Sequence, residues 1–486
     1  MKTMHSASCF SAHATPTTNK DPRVNAERPS APASEKGPAQ ENLYAGPRGT
    51  AVRLLNRVER SDAYLDRLLD AELRSTEMNE LDKGLMNEII TGVIRWRMKL
   101  DWVLTGFFHG NFTKAETNIK NALRVGLYQI LFLDRVPNSA AVNEAVEFIK
   151  RLRGQKVADL VNAVLRNIIR NIDNIRYPDI NEDRIQHLSV VESHPAWMVR
   201  RWVERFGYDA TAKMLRANNT PPDLTLRVNR LKIDFTYFLG RLEEGQMQFE
   251  KSQVLDYFVR VHHMAGIGQS EMFQKGFFVV QDESAGLAVK LLDPQPGDRV
   301  IDLCSAPGGK TTFIGELMRN LGEIVAVDRY ESRLNLVRSA CQRLGIVNAH
   351  FLTADASELK TLPADRVLVD APCSGLGVLS KKPDAKWKRE FLDLVSLVTI
   401  QNGILENAAT IVKPGGVLVY STCTIEPEEN LDLIKAFLGR HPEFTIENAS
   451  SFVPSSVVTP EGTIETMPHR HGMDGSFAVR LRKTSA

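Results

Sequence analysis

Residues 299–312 read RVIDLCSAPGGKTT, and this stretch decides the fold. An apolar run of β type ends near Leu303, a turn with two glycines follows, and a helix-forming segment begins at Lys310. Strand, glycine turn and helix in this order bring backbone N–H groups at the start of a helix close to a nucleotide-like ligand. The stretch therefore predicts the first strand and first helix of a doubly wound α/β sheet.

The spacing of the glycines excludes two common ligand classes. The turn lacks the GxGxxG spacing of dinucleotide sites. It also fails the GxxxxGK pattern of triphosphate sites, because Cys304 stands where that pattern needs glycine. Asp328 ends the next apolar run, about twenty residues past the glycines, where an acidic residue binds ribose hydroxyls. The pattern predicts a nucleoside-containing cofactor, and S-adenosylmethionine fits it.

Two further segments each place a cysteine just after an apolar run. The first reads DAPCSG over residues 370–375 and contains Cys373, and the second reads STCT over residues 421–424 and contains Cys423. In parallel sheets, functional groups collect at the carboxyl ends of the strands. If the two runs are neighbouring strands, about 4.8 Å apart, both thiols face one crevice.

Alternating strands and helices complete a C-terminal domain over residues 282–486. The predicted strands end at Leu303, Val327, Leu352, Val369 and Tyr420, and the predicted helices follow Lys310, cover 332–344 and cover 391–412. The segment KPGG at 413–416 is a helix stop, and residues 475–481 form a late strand. Connection rules place strand five beside strand four, with strands one and four at the switch point.

The rest of the chain is predicted to belong to other structural classes than the C-terminal α/β domain. Residues 1–47 are rich in Ser, Ala, Thr and Pro, and we expect a disordered tail there. Apolar residues at steps of three and four over 48–171 predict an all-α domain. Residues 172–222 read as connecting helices. A small α+β module follows at 223–281, with strands at 224–228, 258–261 and 277–280 and a helix near 235–242. We therefore expect a multidomain protein.

Composition sets limits on function. The formal net charge is only +2, so a polyanionic partner would need a local basic face. The five cysteines form no CxxC pair, which argues against a zinc site and a disulfide framework and favours a reducing compartment. No apolar run approaches the roughly 20 residues of a membrane helix. We expect a cytoplasmic protein with no metal and no membrane association.

Three motifs together identify a family. They are DLCSAPGGKT at 302–311, DAPCS at 370–374 and STCTIEPEEN at 421–430. On these motifs the chain resembles the NOL1/NOP2/Sun family of RNA cytosine-5 methyltransferases. Residues 128–137, 140–146 and 161–166 resemble the NusB-like RNA-binding domain, which precedes the catalytic part in the small-subunit rRNA methyltransferase B branch of that family. The resemblance implies an N-terminal NusB-like domain, a small module that helps to hold RNA and a Rossmann-like methyltransferase domain.

The resemblance also implies roles for residues. Cys423 is the expected nucleophile, Cys373 assists product release, and Asp370 binds the target base and borders the cofactor. Asp328 is expected to bind the cofactor ribose and Asp355 the adenine amino group. The backbone that wraps the methionine part of S-adenosylmethionine is expected to be that of Cys304, Ser305, Ala306, Pro307, Gly308, Gly309 and Lys310. The family's usual Asp-Gly-Phe-Phe is Asp-Gly-Ser-Phe here, at 474–477.

The chemistry of cytosine explains why two thiols would be needed. Carbon 5 is a poor nucleophile, and addition of a thiolate to carbon 6 makes it reactive. After methyl transfer the proton on carbon 5 must leave and the thiol must be expelled, which calls for a second group. The residues alone do not decide which cysteine has which role, and that assignment is the family's.

Several of these residues also have a simpler interpretation. Asp355 is as readily a local cap as an adenine ligand. Cys304 and Cys341 are typical packing residues. His469 and His471 lack metal-ligand spacing, so a solvated loop is expected there.

The expected RNA contacts are basic side chains in three regions. The helical domain offers Arg124, Lys150, Arg151, Arg153, Lys156, Arg166 and Arg170, the small module offers Arg227 and Lys251, and the segment after Cys373 offers Lys381, Lys382, Lys386, Lys388 and Arg389 around Trp387. Composition alone favours solvated helix faces for the first group.

We therefore expect a monomeric S-adenosylmethionine-dependent enzyme that forms 5-methylcytosine in 16S rRNA, and the branch resemblance implies nucleotide 967. A non-catalytic RNA-binding or assembly factor, a cytosine-5 methyltransferase for another RNA and a small-molecule methyltransferase are the alternatives. A scaffold would not require both thiols, and a small-molecule enzyme would leave the helical domain unexplained.

Overall fold

The computed structural model describes residues 43–61, 63–262 and 266–485. The tail expected at 1–47 lies outside these ranges except for its last residues, where a helix already begins at Gly46. From Tyr44 onward the chain forms one compact unit.

The N-terminal part is helical, as its periodicity predicts. Its helices are α1 (Gly46–Arg60), α2 (Leu65–Ser75), α3 (Glu80–Arg95), α4 (Arg97–Phe107), α5 (Thr117–Phe132), α6 (Asn138–Arg153) and α7 (Gln155–Arg170). Apolar positions such as Leu123, Leu127 and Val161 are fully buried between them, because residues three or four apart share one helix face. We call α1 to α7 the helical domain.

Connecting helices follow at α8 (Arg184–Val191), α9 (Ala196–Phe206) and α10 (Tyr208–Asn219). His194 is fully buried before α9, and its Nδ1 contacts the Glu192 carbonyl at 2.6 Å. Burial lowers the pKa of this histidine, so it packs as a neutral ring.

The small module consists of β1 (Leu224–Val228), α11 (Phe235–Glu244), β2 (Phe249–Lys251), β3 (Phe258–Val261), α12 (Glu271–Gln274) and β4 (Phe278–Val280). Its strands form an antiparallel sheet with the order β2-β3-β1-β4. The sequence did not predict β2, because three residues are too few for a recognisable alternation.

The C-terminal domain contains the large sheet. Its elements are α13 (Glu283–Leu292), β5 (Arg299–Asp302), α14 (Gly309–Leu317), β6 (Glu323–Asp328), α15 (Glu331–Leu344), β7 (Ala349–Thr353), β8 (Ala364–Asp370), α16 (Ala385–Lys388), α17 (Phe391–Ile411), β9 (Val412–Thr422), α18 (Leu431–Arg440), β10 (Phe444–Glu447), β11 (Ile464–Thr466), α19 (Pro468–His471) and β12 (Ser476–Lys483).

The strand order β10-β12-β9-β8-β5-β6-β7 confirms the doubly wound prediction. Strands β9, β8, β5, β6 and β7 run parallel, and β12 enters antiparallel between β10 and β9. The order reverses between β5 and β8, and β9 lies beside β8, as expected. The carboxyl ends of β5, β8 and β9 therefore meet at one edge of the sheet.

The helix stop predicted at 413–416 is confirmed, because α17 ends at Ile411. The glycine-rich segment itself belongs to β9, and a register shift between Ala364 and Arg366 of β8 accommodates it. One local expectation was wrong. His469 and His471 lie half-buried in the short helix α19 rather than in a solvated loop. Among the described residues, no helix combines the length and the apolar character needed to cross a membrane.

Candidate active site

The two cysteine sulfurs lie in direct contact at the end of the sheet. Strands β8 and β9 pair in parallel with Asp370 opposite Ser421, so the loops that follow them leave side by side. The Sγ atoms of Cys373 and Cys423 are 3.3 Å apart, and the Cys423 amide points at Cys373 Sγ at 3.4 Å. Cys423 is exposed and Cys373 is half-buried, so a substrate in the crevice reaches Cys423 more readily.

The surroundings make the two thiols unequal. A hydrogen bond from the Cys373 thiol lowers the pKa of Cys423, and the Lys310 and Lys382 charges act in the same direction against burial and Asp370. The same contact raises the pKa of Cys373, to which burial and the Glu429 carboxylate also contribute. Cys423 therefore ionises more readily than Cys373, and the Cys373 thiol donates a hydrogen bond to the Cys423 thiolate.

Asp370 connects the cysteines to the glycine turn. Its Oδ2 accepts a hydrogen bond from Lys310 Nζ at 2.6 Å, and its Oδ1 accepts one from Ser421 Oγ at 3.0 Å. Burial opposes the charge of Lys310, but Asp370 more than offsets this and raises the pKa of the ammonium. The carboxylate lies at the end of β8, three residues before Cys373.

The turn at 304–310 has the geometry of a ligand cradle. Ser305 N donates to the Val327 carbonyl at 2.9 Å, which ties the turn to β6. Gly308 has a φ of +106°, and a Cβ there would lie 3.1 Å from Val337 Cα, so a side chain is excluded. The turn passes directly into the N-terminus of α14. The Cys304 thiol packs inside, and burial raises its pKa, as expected of a packing residue.

The residues fit a nucleoside cofactor with a charged amino-acid part. Within the described chain, Ser305 Oγ is a buried polar atom without a hydrogen-bond partner. Asp328 is 3 % exposed at the end of β6, where it accepts a hydrogen bond from Tyr330 N at 3.1 Å. An orphaned hydroxyl, a helix N-terminus and an acidic strand end are the groups such a ligand would engage.

Asp355 has a local role in the structure. Its Oδ1 accepts hydrogen bonds from Ser357 N at 2.9 Å and Ser357 Oγ at 2.7 Å, and these bonds lower its pKa against burial. Its other oxygen lies 3.5 Å from Arg329. The carboxylate therefore caps the turn after β7, and its expected contact with adenine stays a prediction.

Three groups near the cysteines were missed by sequence reasoning. Glu429 is a buried carboxylate that holds Ser374, and Gln401 donates to the same carboxylate at 2.9 Å. Trp202 Nε1 donates to Glu426 Oε1 at 2.8 Å and holds the segment after Cys423. The acidic residues stand in the quoted motif at 421–430, but a sequence does not show that a carboxylate is buried.

Several expected RNA contacts are buried instead. Arg124 is 3 % exposed and pairs with Asp101 at 2.6 Å and with Glu59. Arg227 is 1 % exposed and pairs with Glu316 in α14. Buried guanidinium groups need such partners, so neither residue is available to a phosphate.

The basic segment after Cys373 also has another role. Lys386 is 1 % exposed, and its Nζ donates to the Arg95 carbonyl at 2.8 Å. Trp387 Nε1 donates to the Ile94 carbonyl at 2.7 Å, and Lys388 donates to the Ala63 carbonyl. Lys381 is held by two aspartates and Arg389 by the Ser374 carbonyl at 3.0 Å, whereas Lys382 remains exposed.

The other expected RNA contacts in the helical domain are exposed. They are Lys150, Arg151, Arg153, Lys156, Arg166 and Arg170, all on α6 and α7 or between them, and Lys251 of the small module is exposed as well. Arg153 pairs with Glu116 at 2.7 Å, and Arg151 pairs with Glu147 at 3.1 Å. Because these side chains are exposed, a phosphate-facing surface on the helical domain stays a prediction.

The sheet order, the glycine turn and the acidic end of β6 together define a Rossmann-like methyltransferase. Across the described residues, no cluster of three or more His, Cys, Asp or Glu side chains could hold a metal ion. The model "16S rRNA methyltransferase RsmB/F" matches residues 289–482, the NusB family model matches 46–170, and a model of an RsmF/B-like ferredoxin-like domain matches 194–267.

The chain belongs to the ribosomal RNA small subunit methyltransferase B family. It is 36 % identical to the probable ribosomal RNA small subunit methyltransferase B of Bacillus subtilis, over 90 % of this chain and 98 % of that protein. It is 33 % identical to the ribosomal RNA small subunit methyltransferase B of Pseudomonas syringae, over 90 % of this chain and 97 % of that protein. The family recognised in the sequence motifs is confirmed.

Solved structures support the same assignment. The crystal structure of PH0851 superposes with a TM-score of 0.75 at 29 % identity and covers 90 % of this chain and 99 % of its own. A methyltransferase homologue from Pyrococcus horikoshii superposes with a TM-score of 0.54 at 27 % identity, over 62 % of this chain and 99 % of its own.

Proposed function

We propose that this protein transfers a methyl group from S-adenosylmethionine to carbon 5 of a cytosine in 16S rRNA, at nucleotide 967, through a covalent bond between Cys423 and the base. The contact between two thiols at the end of β8 and β9 is the observation that carries the proposal. Methylation of a nitrogen or oxygen that is already nucleophilic needs no thiol, whereas carbon 5 of cytosine needs one to add and a second group to complete release. The relatives' names supply the rRNA substrate.

The cofactor would lie along the backbone of 304–310, with its ribose on Asp328, its adenine near Asp355 and its charged end near Asp370. Bound S-adenosylmethionine supplies an electrophilic methyl group. Lys310 neutralises Asp370 between the cofactor turn and the base, which keeps that carboxylate fixed in position.

Each side chain then has a step that its surroundings favour. Cys423 as thiolate adds to carbon 6 of the base, and N3 takes up a proton from water as negative charge develops there. The Asp370 carboxylate accepts hydrogen bonds from the resulting N3–H and from the amino group. Carbon 5 becomes nucleophilic and takes the methyl group, and the sulfonium sulfur leaves as S-adenosylhomocysteine. The proton on carbon 5 then leaves to water, the bond from carbon 6 to Cys423 breaks with loss of the N3 proton, and Cys373 assists this release by solvating the departing thiolate.

The helical domain and the small module would hold the RNA around an unpaired cytosine. The base must leave its stack to reach Cys423, which favours a loop or single-stranded target. The exposed basic residues on α6 and α7 are suited to phosphates away from the target base. Because the proposed substrate is rRNA, the proposal also includes a cytoplasmic location of the enzyme.

The test is bisulfite mapping of rRNA from cells with and without the gene, complemented by single variants. We expect Cys423→Ala to abolish 5-methylcytosine at the target, because no thiolate adds to carbon 6. We expect Cys373→Ala to accumulate a protein–RNA adduct that persists on denaturing gels. Cys341→Ala, which removes a thiol buried in α15, is the matched control and keeps methylation. Full methylation by Cys423→Ala would overturn the assigned nucleophile, and loss of the mark at another nucleotide would overturn the assigned target.

A further inference from the structure

A buried carboxylate lies behind the cysteine pair. Glu429 is fully buried in the turn after Cys423. Its Oε1 accepts a hydrogen bond from Ser374 N at 2.8 Å, and its Oε2 accepts one from Ser374 Oγ at 2.5 Å. Ser374 directly follows Cys373, so Glu429 holds the backbone that carries the first sulfur.

The same carboxylate reaches the second cysteine through Ser374. Ser374 Oγ lies 2.7 Å from Thr424 Oγ1, and Thr424 directly follows Cys423. Because Ser374 donates its hydroxyl proton to Glu429, it accepts from Thr424. One carboxylate therefore joins the residues that follow both cysteines.

The turn around Glu429 is itself fixed on two sides. Gln401 Nε2 donates to Glu429 Oε1 and to the Pro372 carbonyl, both at 2.9 Å. Tyr420 in β9 donates its hydroxyl to the Glu429 carbonyl at 2.8 Å. Helix α17, strand β9 and the loop of Cys373 thus converge on this residue, and the bonds leave it little freedom to move.

Glu429 also acts through its charge. The partners that hold its carboxylate are hydrogen-bond donors of Ser374 and Gln401, and within the described chain no Lys or Arg side chain pairs with it. Burial raises the pKa of Glu429 against these donors. A carboxylate that is not neutralised by a cation disfavours a second negative charge nearby. Glu429 holds the residue directly after Cys373, and its charge contributes to raising the pKa of the Cys373 thiol.

We propose that Glu429 is a positioning residue of the reaction, which holds both cysteine loops in contact through Ser374 and directs the negative charge to Cys423 rather than Cys373. The charge assignment rests on the thiol pair alone, and its use in methyl transfer rests on the proposed function. A purely structural residue would fix the loops but would not decide which sulfur is ionised.

The first experiment measures which of the two thiols, Cys423 or Cys373, carries the negative charge. Wild-type protein and Glu429→Gln are treated with iodoacetamide between pH 6 and pH 9.5, and mass spectrometry gives the alkylation rate of each cysteine. The groups that face the two sulfurs are Asp370, Lys310, Lys382 and Glu429, and the substitution changes only the last. The amide keeps the shape and still accepts from Ser374 N. We expect the ratio of Cys423 to Cys373 alkylation to fall by about threefold or more, which corresponds to half a pKa unit.

The control is Glu428→Gln, one residue earlier, whose carboxylate is partly exposed and pairs with Arg201 at 2.8 Å. We expect its alkylation ratio to equal that of the wild type. An unchanged ratio in Glu429→Gln, with a wild-type melting temperature, would overturn the charge assignment.

A second variant separates position from charge and also covers the case in which Glu429→Gln does not fold. Ser374→Ala removes the bridge to Thr424 but keeps the Glu429 charge. We expect kcat for rRNA methylation to fall by about tenfold or more while KM changes little, because the two cysteine loops are no longer tied together. Unchanged kcat would overturn the positioning role. If wild-type protein methylates no RNA, the proposed function fails, whereas the alkylation result still decides the charge role.

Discussion

At the scale of single residues, the burial and the partners of a side chain decide how readily it ionises in this protein. Lys381 lies between two carboxylates: its Nζ contacts Asp282 and lies 2.8 Å from Asp474 Oδ2. Burial, together with the Asp282 charge, raises the pKa of Asp474 to about 7. The Asp282 pKa is lowered, because Lys381 and Ser284 outweigh its burial. Lys381 therefore stabilises the charged form of Asp282, whereas Asp474 is left with a raised pKa.

Asp474→Asn should therefore stabilise the protein increasingly as pH rises. The pKa of Asp474 is higher in the folded than in the unfolded chain, so its contribution to stability is complete below about pH 4 and is lost as pH rises through 7. Asparagine cannot ionise and avoids this loss. We expect the difference in unfolding free energy between variant and wild type to grow by about 2–3 kcal/mol between pH 5 and pH 8, measured by denaturant unfolding. The exposed Asp432→Asn on α18 is the control, and a difference that does not change with pH would contradict the prediction.

At the scale of elements, close packing decides where glycine is needed. Helix α3 contains two glycines, Gly84 and Gly92, and a sequence pattern does not distinguish them. A Cβ on Gly92 would lie 2.0 Å from Cζ of Tyr128 in α5, whereas a Cβ on Gly84 would meet nothing within 4 Å. The tyrosine is held there by its hydroxyl, which donates to Glu88 at 2.6 Å.

These two glycines give a matched pair of variants. Gly92→Ala should destabilise the protein by about 1–3 kcal/mol, because α3 and α5 must separate to make room. Gly84→Ala should stabilise it by about 0.5–1 kcal/mol, because alanine loses less backbone entropy in a helix. Thermal and urea unfolding measure both, and equal effects of the two substitutions would contradict the packing of Tyr128 against Gly92.

The same scale explains which parts of the site the sequence predicted. The strands before Cys373 and Cys423 were predictable because apolar runs followed by polar residues are local signals, and connection rules then made them neighbours. Contacts that depend on long-range packing were not predictable. Lys386 and Arg227 are basic in the sequence, but only the fold shows that they are buried beside Arg95 and Glu316. For the same reason the sequence shows Glu429 only as one acidic residue of a motif, and the fold is needed to show that it joins both loops.

At the scale of the whole molecule, the segment 380–388 connects the helical domain to the cysteine loop. The donors of Lys386, Trp387 and Lys388 all end on backbone carbonyls of the helical domain or its first connection, and Arg95 donates back to the Ser380 carbonyl at 3.0 Å. The other end of this loop begins at Cys373, and Gly377 N donates to the Cys423 carbonyl at 3.0 Å. The helical domain therefore holds the segment whose backbone lies next to both sulfurs.

Trp387→Phe tests this connection with the loss of a single donor. The substitution removes the indole N–H that donates to the Ile94 carbonyl and keeps an aromatic ring in the interface beside Arg97, whose guanidinium lies 5.7 Å from the Trp387 ring. We expect the free energy of unfolding to fall by about 1–2 kcal/mol, because the Ile94 carbonyl is left without this donor. We also expect faster amide hydrogen exchange over residues 376–388, since local opening becomes easier where the loop is no longer held. Trp102→Phe is the matched control: its indole donates to the Arg176 carbonyl at 2.9 Å, away from the cysteine loop, so it should leave exchange at 376–388 unchanged. If both variants accelerated exchange there equally, the effect would come from general loosening of the protein, and segment 380–388 would not be the connection between the helical domain and the thiols.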